Sequence, residues 1–119
     1  MNEVSLYELN EYFNDTLEKC NLGIFSQNED TIECNVLEDF YSGVHSFLHV
    51  NSLSKLFKNG FINEEIFLLS QELREKALMI PENRWDIGHI RNSDEWREVI
   101  QLSDKILKLK IVFDSKKTL

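Results

Sequence analysis

The stretch FINEEIFLLSQELREKALMI, residues 61–80, decides the fold. Asn63 stands where a helix begins, with a short side chain able to accept from the free N–H groups of a first turn. Glu64 and Glu65 follow, where the helix dipole favours negative charge. Ile66, Leu69, Leu73, Ala77 and Ile80 recur at helical spacing and make one apolar stripe. Pro81 ends the run and biases Ile80 out of helical angles. The pattern predicts a long amphipathic helix over 64–80, one face on a core and the other in water.

The same signals repeat on both sides. Upstream, 51–57 reads as a short helix closed by Asn59-Gly60. Residues 31–50 predict a helix with a wide apolar face of Val36, Leu37, Phe40, Tyr41, Val44, Phe47 and Leu48, and Asp30 with Glu33 has capping-box spacing. Gly43 weakens that helix by up to ~1 kcal/mol relative to Ala, and also permits a close helix–helix approach. Residues 6–20 predict the first helix, capped by Ser5 with Glu8 and striped by Leu6, Leu9, Phe13, Leu17 and Cys20. Asn21 and Gly23 are expected to end it through left-handed backbone, and 24–29 to form a connector with room for an isolated short strand. Downstream, 81–91 reads as a loop packed down through Trp85, Ile87 and Ile90. Asn92 with Glu95 is a third capping box, opening a final helix over 93–110. Beyond it, 111–113 is expected as an extended stub and 115–119 as a frayed tail.

A chain of 119 residues fits one domain. Its 42% apolar and 29% charged content is that of a globule rather than a disordered chain. Four glycines and one proline leave few interruptions, which favours helices over a many-turned β fold. The expectation is a single all-α domain over residues 1–119, an antiparallel, bundle-like array of four to five helices. No basic segment followed by an apolar run opens the chain, and no apolar stretch approaches the ~20 residues that span a bilayer. A cytoplasmic protein is expected, with Cys20 and Cys34 reduced and half-buried.

The sequence holds no phosphate-cradling glycine loop and no nucleophile-elbow serine. His45 and His49 lie four apart on one predicted helix, the spacing that sets two imidazoles on one metal, with Cys34 or His89 as possible third ligands. Ser46, however, stands where a zinc protease carries glutamate. The favoured reading is a histidine pair on a polar edge, with no metal, no cofactor and no enzymatic activity; a metal-dependent enzyme using His45 and His49 is the alternative. Glu38-Asp39 and Glu64-Glu65 sit near first turns, where acids support helices without acid–base work. Trp85 and Trp96 read as core, with Arg84-Trp85 as a possible interface element.

Charge is the informative quantity. The net charge of −8 disfavours direct contact with nucleic acid or an anionic membrane. Residues 1–50 hold ten acids and one base, Lys19, for a net of −9, whereas 51–119 hold eleven acids and twelve bases, for a net of +1. The acidity therefore belongs to the first two helices and their connector. Complementary fields raise association rates and enforce specificity. A basic protein partner is thus expected to meet Glu11, Asp15, Glu18, Glu29, Asp30, Glu33, Glu38, Asp39 and Tyr41, with Tyr7, Tyr12 and Phe25 as further aromatic anchors. Charge reversal at Glu33 and Asp39 is expected to slow association.

The chain resembles the small immunity proteins of bacterial polymorphic-toxin systems such as contact-dependent growth inhibition. The likeness lies in small size, acidity, the run FINEEIFLLSQELREKALMI, a proline–tryptophan loop, and then IRNSDEWREVIQLSDKIL, together within residues 61–110. The resemblance implies a non-enzymatic inhibitor that binds one cognate toxin domain, often a basic nuclease, and blocks its active site or a neighbouring surface. It transfers no functional residue. The rival to it is an acidic regulatory adaptor or nucleic-acid mimic with a different partner.

Overall fold

The computed structural model describes residues 5–117, and these are helical throughout apart from short links, with no strand among them. Six helices form an all-α, bundle-like domain, one more than the upper expectation. They are α1 (Leu6–Glu18), α2 (residues 29–46), α3 (Val50–Lys58), α4 (Glu64–Met79), α5 (Ile87–Asn92) and α6 (Asp94–Lys117).

α4 forms as its sequence predicts. Asn63 Oδ1 accepts from Ile66 N–H at 2.9 Å, and Ile80 is extended at ψ 120° ahead of Pro81. Its buried row differs at one position: Ser70 takes the fully buried place and Leu69 is only half-covered. α4 packs most extensively on α6, and Lys76 lies 3.7 Å from Glu98 across that seam. The core between the helices is one continuous cluster, with Phe13, Leu17, Val36, Phe40, Leu53, Leu73, Trp96 and Ile106 fully covered.

Several ends differ from expectation. α1 stops at Glu18 without left-handed backbone; Lys19 caps it at φ −74°, and Asn21 is extended. The Asn21 side chain instead accepts from Gly23 N–H at 2.8 Å and starts a 3-10 turn, Leu22–Ser26, in place of any strand. Asn28, not Asp30, caps α2, accepting from Thr31 N–H at 2.8 Å. Ser93, not Asn92, caps α6, its hydroxyl accepting from Trp96 N–H at 3.2 Å, while Asn92 closes α5 by donating to Gly88 O. α6 continues through residues 111–113, the expected stub, to Lys117, so the expected tail is helical as far as it is described; Thr118 and Leu119 lie outside the described residues. Burial explains the extension, because Lys110 is fully covered and bound to Asp114 at 2.7 Å one turn on, and Phe113 is half-buried against the core.

The largest departure lies in residues 31–50, expected as one α-helix. α2 is α-helical over Glu29–Ile32, π-helical over Glu33–Phe40 and α-helical again over Tyr41–Ser46. Tyr41 N–H reaches Val36 O, five residues back. Its fully buried residues Ile32, Val36, Phe40 and Val44 are spaced by four. In a regular α-helix each step of four overshoots a turn by about 40°, so three steps would carry Val44 off the core face. The wider π turns undershoot, and the mixture holds all four inward. The rod then breaks at Phe47, and His49 turns extended to start α3.

Two glycines have a specific task. At Gly43, a Cβ in place of hydrogen would lie 2.8 Å from Thr16 Cβ, so α1 and α2 cross where no side chain fits. Gly60, at φ 78°, ends α3: its N–H bonds Phe57 O at 3.2 Å and Phe61 N–H bonds Leu56 O at 2.9 Å, the two bonds of a Schellman motif.

Candidate functional site

All eight carboxylates named from the charge map, Glu11, Asp15, Glu18, Glu29, Asp30, Glu33, Glu38 and Asp39, are exposed. The cause is helical phase. On α1, burying Leu9, Phe13 and Leu17 turns Glu8, Glu11, Asp15 and Glu18 outward as a single stripe. On α2, Glu29 and Asp30 occupy the first turn, while Glu33, Glu38 and Asp39 ride the outer side of the π segment. Among the described residues two of the eight meet cations: Glu29 lies 3.7 Å from Arg91, and Asp39 lies 3.7 Å from Lys19. Both pairs are long and exposed and contribute little to stability.

The structure brings Asp15 and Asp39 together. They line one groove of about 320 Å³ between α1 and α2, with Tyr12, Thr16, Lys19, Ser42 and Phe47. The Tyr12 and Phe47 rings lie 4.9 Å apart, tilted by 31°. The close crossing at Gly43 and Thr16 brings the two helices near enough to form it. The sequence does not single out Thr16, Lys19, Ser42 and Phe47 as site residues, because they become neighbours only where α1 and α2 cross.

Tyr41 is not part of that patch. It lies on the opposite flank of α2, lining a small hollow with Leu37, Glu82 and Trp85. Its ring stands edge-on to Trp85 at 5.2 Å and 4.7 Å from His45. Trp85 in turn stacks on Phe40 at 6.3 Å and meets Trp96 edge-on at 4.7 Å. Both indoles are satisfied, Trp85 Nε1 donating to Ile80 O and Trp96 Nε1 to Arg84 O. This cluster fastens α2 to the 81–92 corner. Arg84 is held by Glu95 at 2.7 Å. Of the other expected anchors, Tyr7 is 76% exposed with its edge on Phe61, and Phe25 is exposed on the 3-10 turn.

The histidine pair does not share a helix. His45 lies near the end of α2, while His49 caps α3, its Nδ1 accepting from Asn51 N–H at 3.1 Å. The chain break at residues 47–49 removes the i, i+4 register. Among the described residues no group of three or more His, Cys, Asp or Glu side chains is placed to hold a metal. His89 engages Asp86, the cap of α5, at 2.8 Å through Nδ1. The hydrogen bonds from the backbone and ring of His89 hold the Asp86 carboxyl below its usual range. The cysteines are unlike each other: Cys20 is fully buried and burial pushes its thiol up, while Cys34 is exposed, and both are free. Among the described residues no helix is long and apolar enough to cross a membrane.

Comparison with family models, curated proteins and solved structures returns no match for this chain.

Proposed function

We propose that the chain is an immunity-type protein that binds a basic toxin domain, such as a nuclease, through the acidic outer surface of α1 and α2. The observation that carries this reading is the segregation of charge onto exposed positions. Ten of twenty-one acids, and only one of thirteen bases, fall in residues 1–50, and every carboxylate named there as a contact is exposed. Self-repulsion among such charges opposes folding, and a complementary field on a partner offsets it. Carboxylates presented in this way stand in for the phosphates that a nuclease cleft is built to receive, so no reaction need occur on this chain.

The test uses the toxin domain that this reading expects to be encoded beside this protein. Wild-type protein should restore growth to cells that make that domain and should bind it in a one-to-one complex. The double reversal Glu33→Lys with Glu38→Lys touches no core residue. It should slow association on the order of tenfold and flatten its dependence on salt. Association rates unchanged by the double reversal would sink the acidic-surface reading.

A further inference from the structure

We infer that the groove between α1 and α2 receives one arginine side chain of the partner, an inference that rests on the acidic-surface reading above and names its focal point. Four features converge there. Asp15 from α1 and Asp39 from α2 supply two exposed carboxylates on opposite walls. Among the described residues no lysine, arginine or histidine nitrogen lies within 4.0 Å of the Asp15 carboxylate. The Tyr12–Phe47 pair supplies aromatic surface beside them, with Tyr12 37% exposed. The volume of about 320 Å³ corresponds to about ten waters at ~30 Å³ each, ample for one extended side chain.

Lys19 shows that the site already draws a cation. Its Nζ lies 3.7 Å from Asp39 Oδ2, too far for a good hydrogen bond, and both side chains are more than a third exposed. An incoming group can take its place at low cost. Among protein cations the surroundings select arginine. A guanidinium is planar and weakly hydrated, carries five donors for two carboxylates, and lies flat on an aromatic face. A lysine ammonium is a strongly hydrated point charge that gains less from the rings. A uniformly acidic surface would bind either residue alike, so preference for arginine is the signature of this groove.

Isotope-labelled protein is titrated with blocked hexa-arginine and hexa-lysine peptides while amide shifts are followed. The arginine peptide should bind more tightly, with shifts concentrated in residues 12–19 and 39–47. Tyr12→Leu should weaken the arginine peptide about fivefold and leave the lysine peptide unchanged, abolishing the preference. Tyr12→Phe should keep it. Asp15→Asn, an exposed change that leaves the core intact, should weaken the arginine peptide as well. Equal binding of the two peptides, no binding of either, or shifts along Glu8, Glu11 and Glu18 that spare the groove would each overturn the arginine site. None of those results touches the wider reading, which stands or falls on the toxin association rates of the Glu33 and Glu38 reversals outside the groove.

Discussion

At the scale of single residues, Gly43 decides how closely α1 and α2 can approach. Alanine is the better helix former by about 1 kcal/mol, so an exposed glycine in this place would be a weakness to repair. Here the sign reverses, because the new methyl would meet Thr16 Oγ1, Cγ2 and Cβ together. Gly43→Ala should destabilise the protein by roughly 1–3 kcal/mol, the usual effect of overpacking, measured as a lowered urea midpoint. Adding Thr16→Ala should recover only part of the loss, since Thr16 Cβ itself lies 2.8 Å from the added atom. An unchanged midpoint for Gly43→Ala would mean that the two helices cross with room to spare. Ser70 and Asn28 show other limits of local reading. Ser70 is fully buried although Leu69 beside it is the better hydrophobe, because the face of α4 that meets α6 is set by the whole row from Ile66 to Ala77. Asn28 outcompetes Asp30 as a cap because it stands two positions earlier, and nothing in the spacing of Asp30 and Glu33 reveals that.

Among the elements, the π-helical stretch of α2 is the one with most influence on the candidate surface. Long π segments are rare, and their turns hold less well than those of an α-helix. It persists here because it keeps Ile32, Val36, Phe40 and Val44 on one buried line. Amides of residues 38–41, which close the wide turns, should therefore exchange with deuterium faster than amides in the middle of α4. Equal protection would show that the wide turns carry no penalty. The signal for this element is present in the sequence as apolar residues every four positions. A period of 3.6 turns the same signal into a broad helical face and hides the wide turns. The straightforward elements are legible for the opposite reason. α4 has a cap, a stripe and a proline stop that agree with one another, and α1 has the same agreement at its start. The break at residues 47–49 is not legible, since His49 caps α3 through a ring nitrogen rather than through one of the usual short oxygen side chains.

For the whole molecule, the fold class follows from helical periodicity and sparse breakers, and the exposure of the acids follows from amphipathic phase. The grouping of those acids does not. Asp15 and Asp39 are 24 positions apart and meet because α1 and α2 cross closely at Thr16 and Gly43, while Tyr41, two residues from Asp39, faces the other way. Contiguity in sequence is a poor guide to contiguity on the surface. The two thiols differ as sharply as the two flanks of α2. Cys34 stands open on the acidic side, and Cys20 is sealed in the interior with its proton held firmly. A thiol-titrating dye at neutral pH should therefore count one group in the native protein and two after unfolding. The slow appearance of the second would time the opening of the interior near α1. The chain thus carries its own chemical clock for global unfolding, and two groups reacting at equal speed in native buffer would contradict the burial of Cys20.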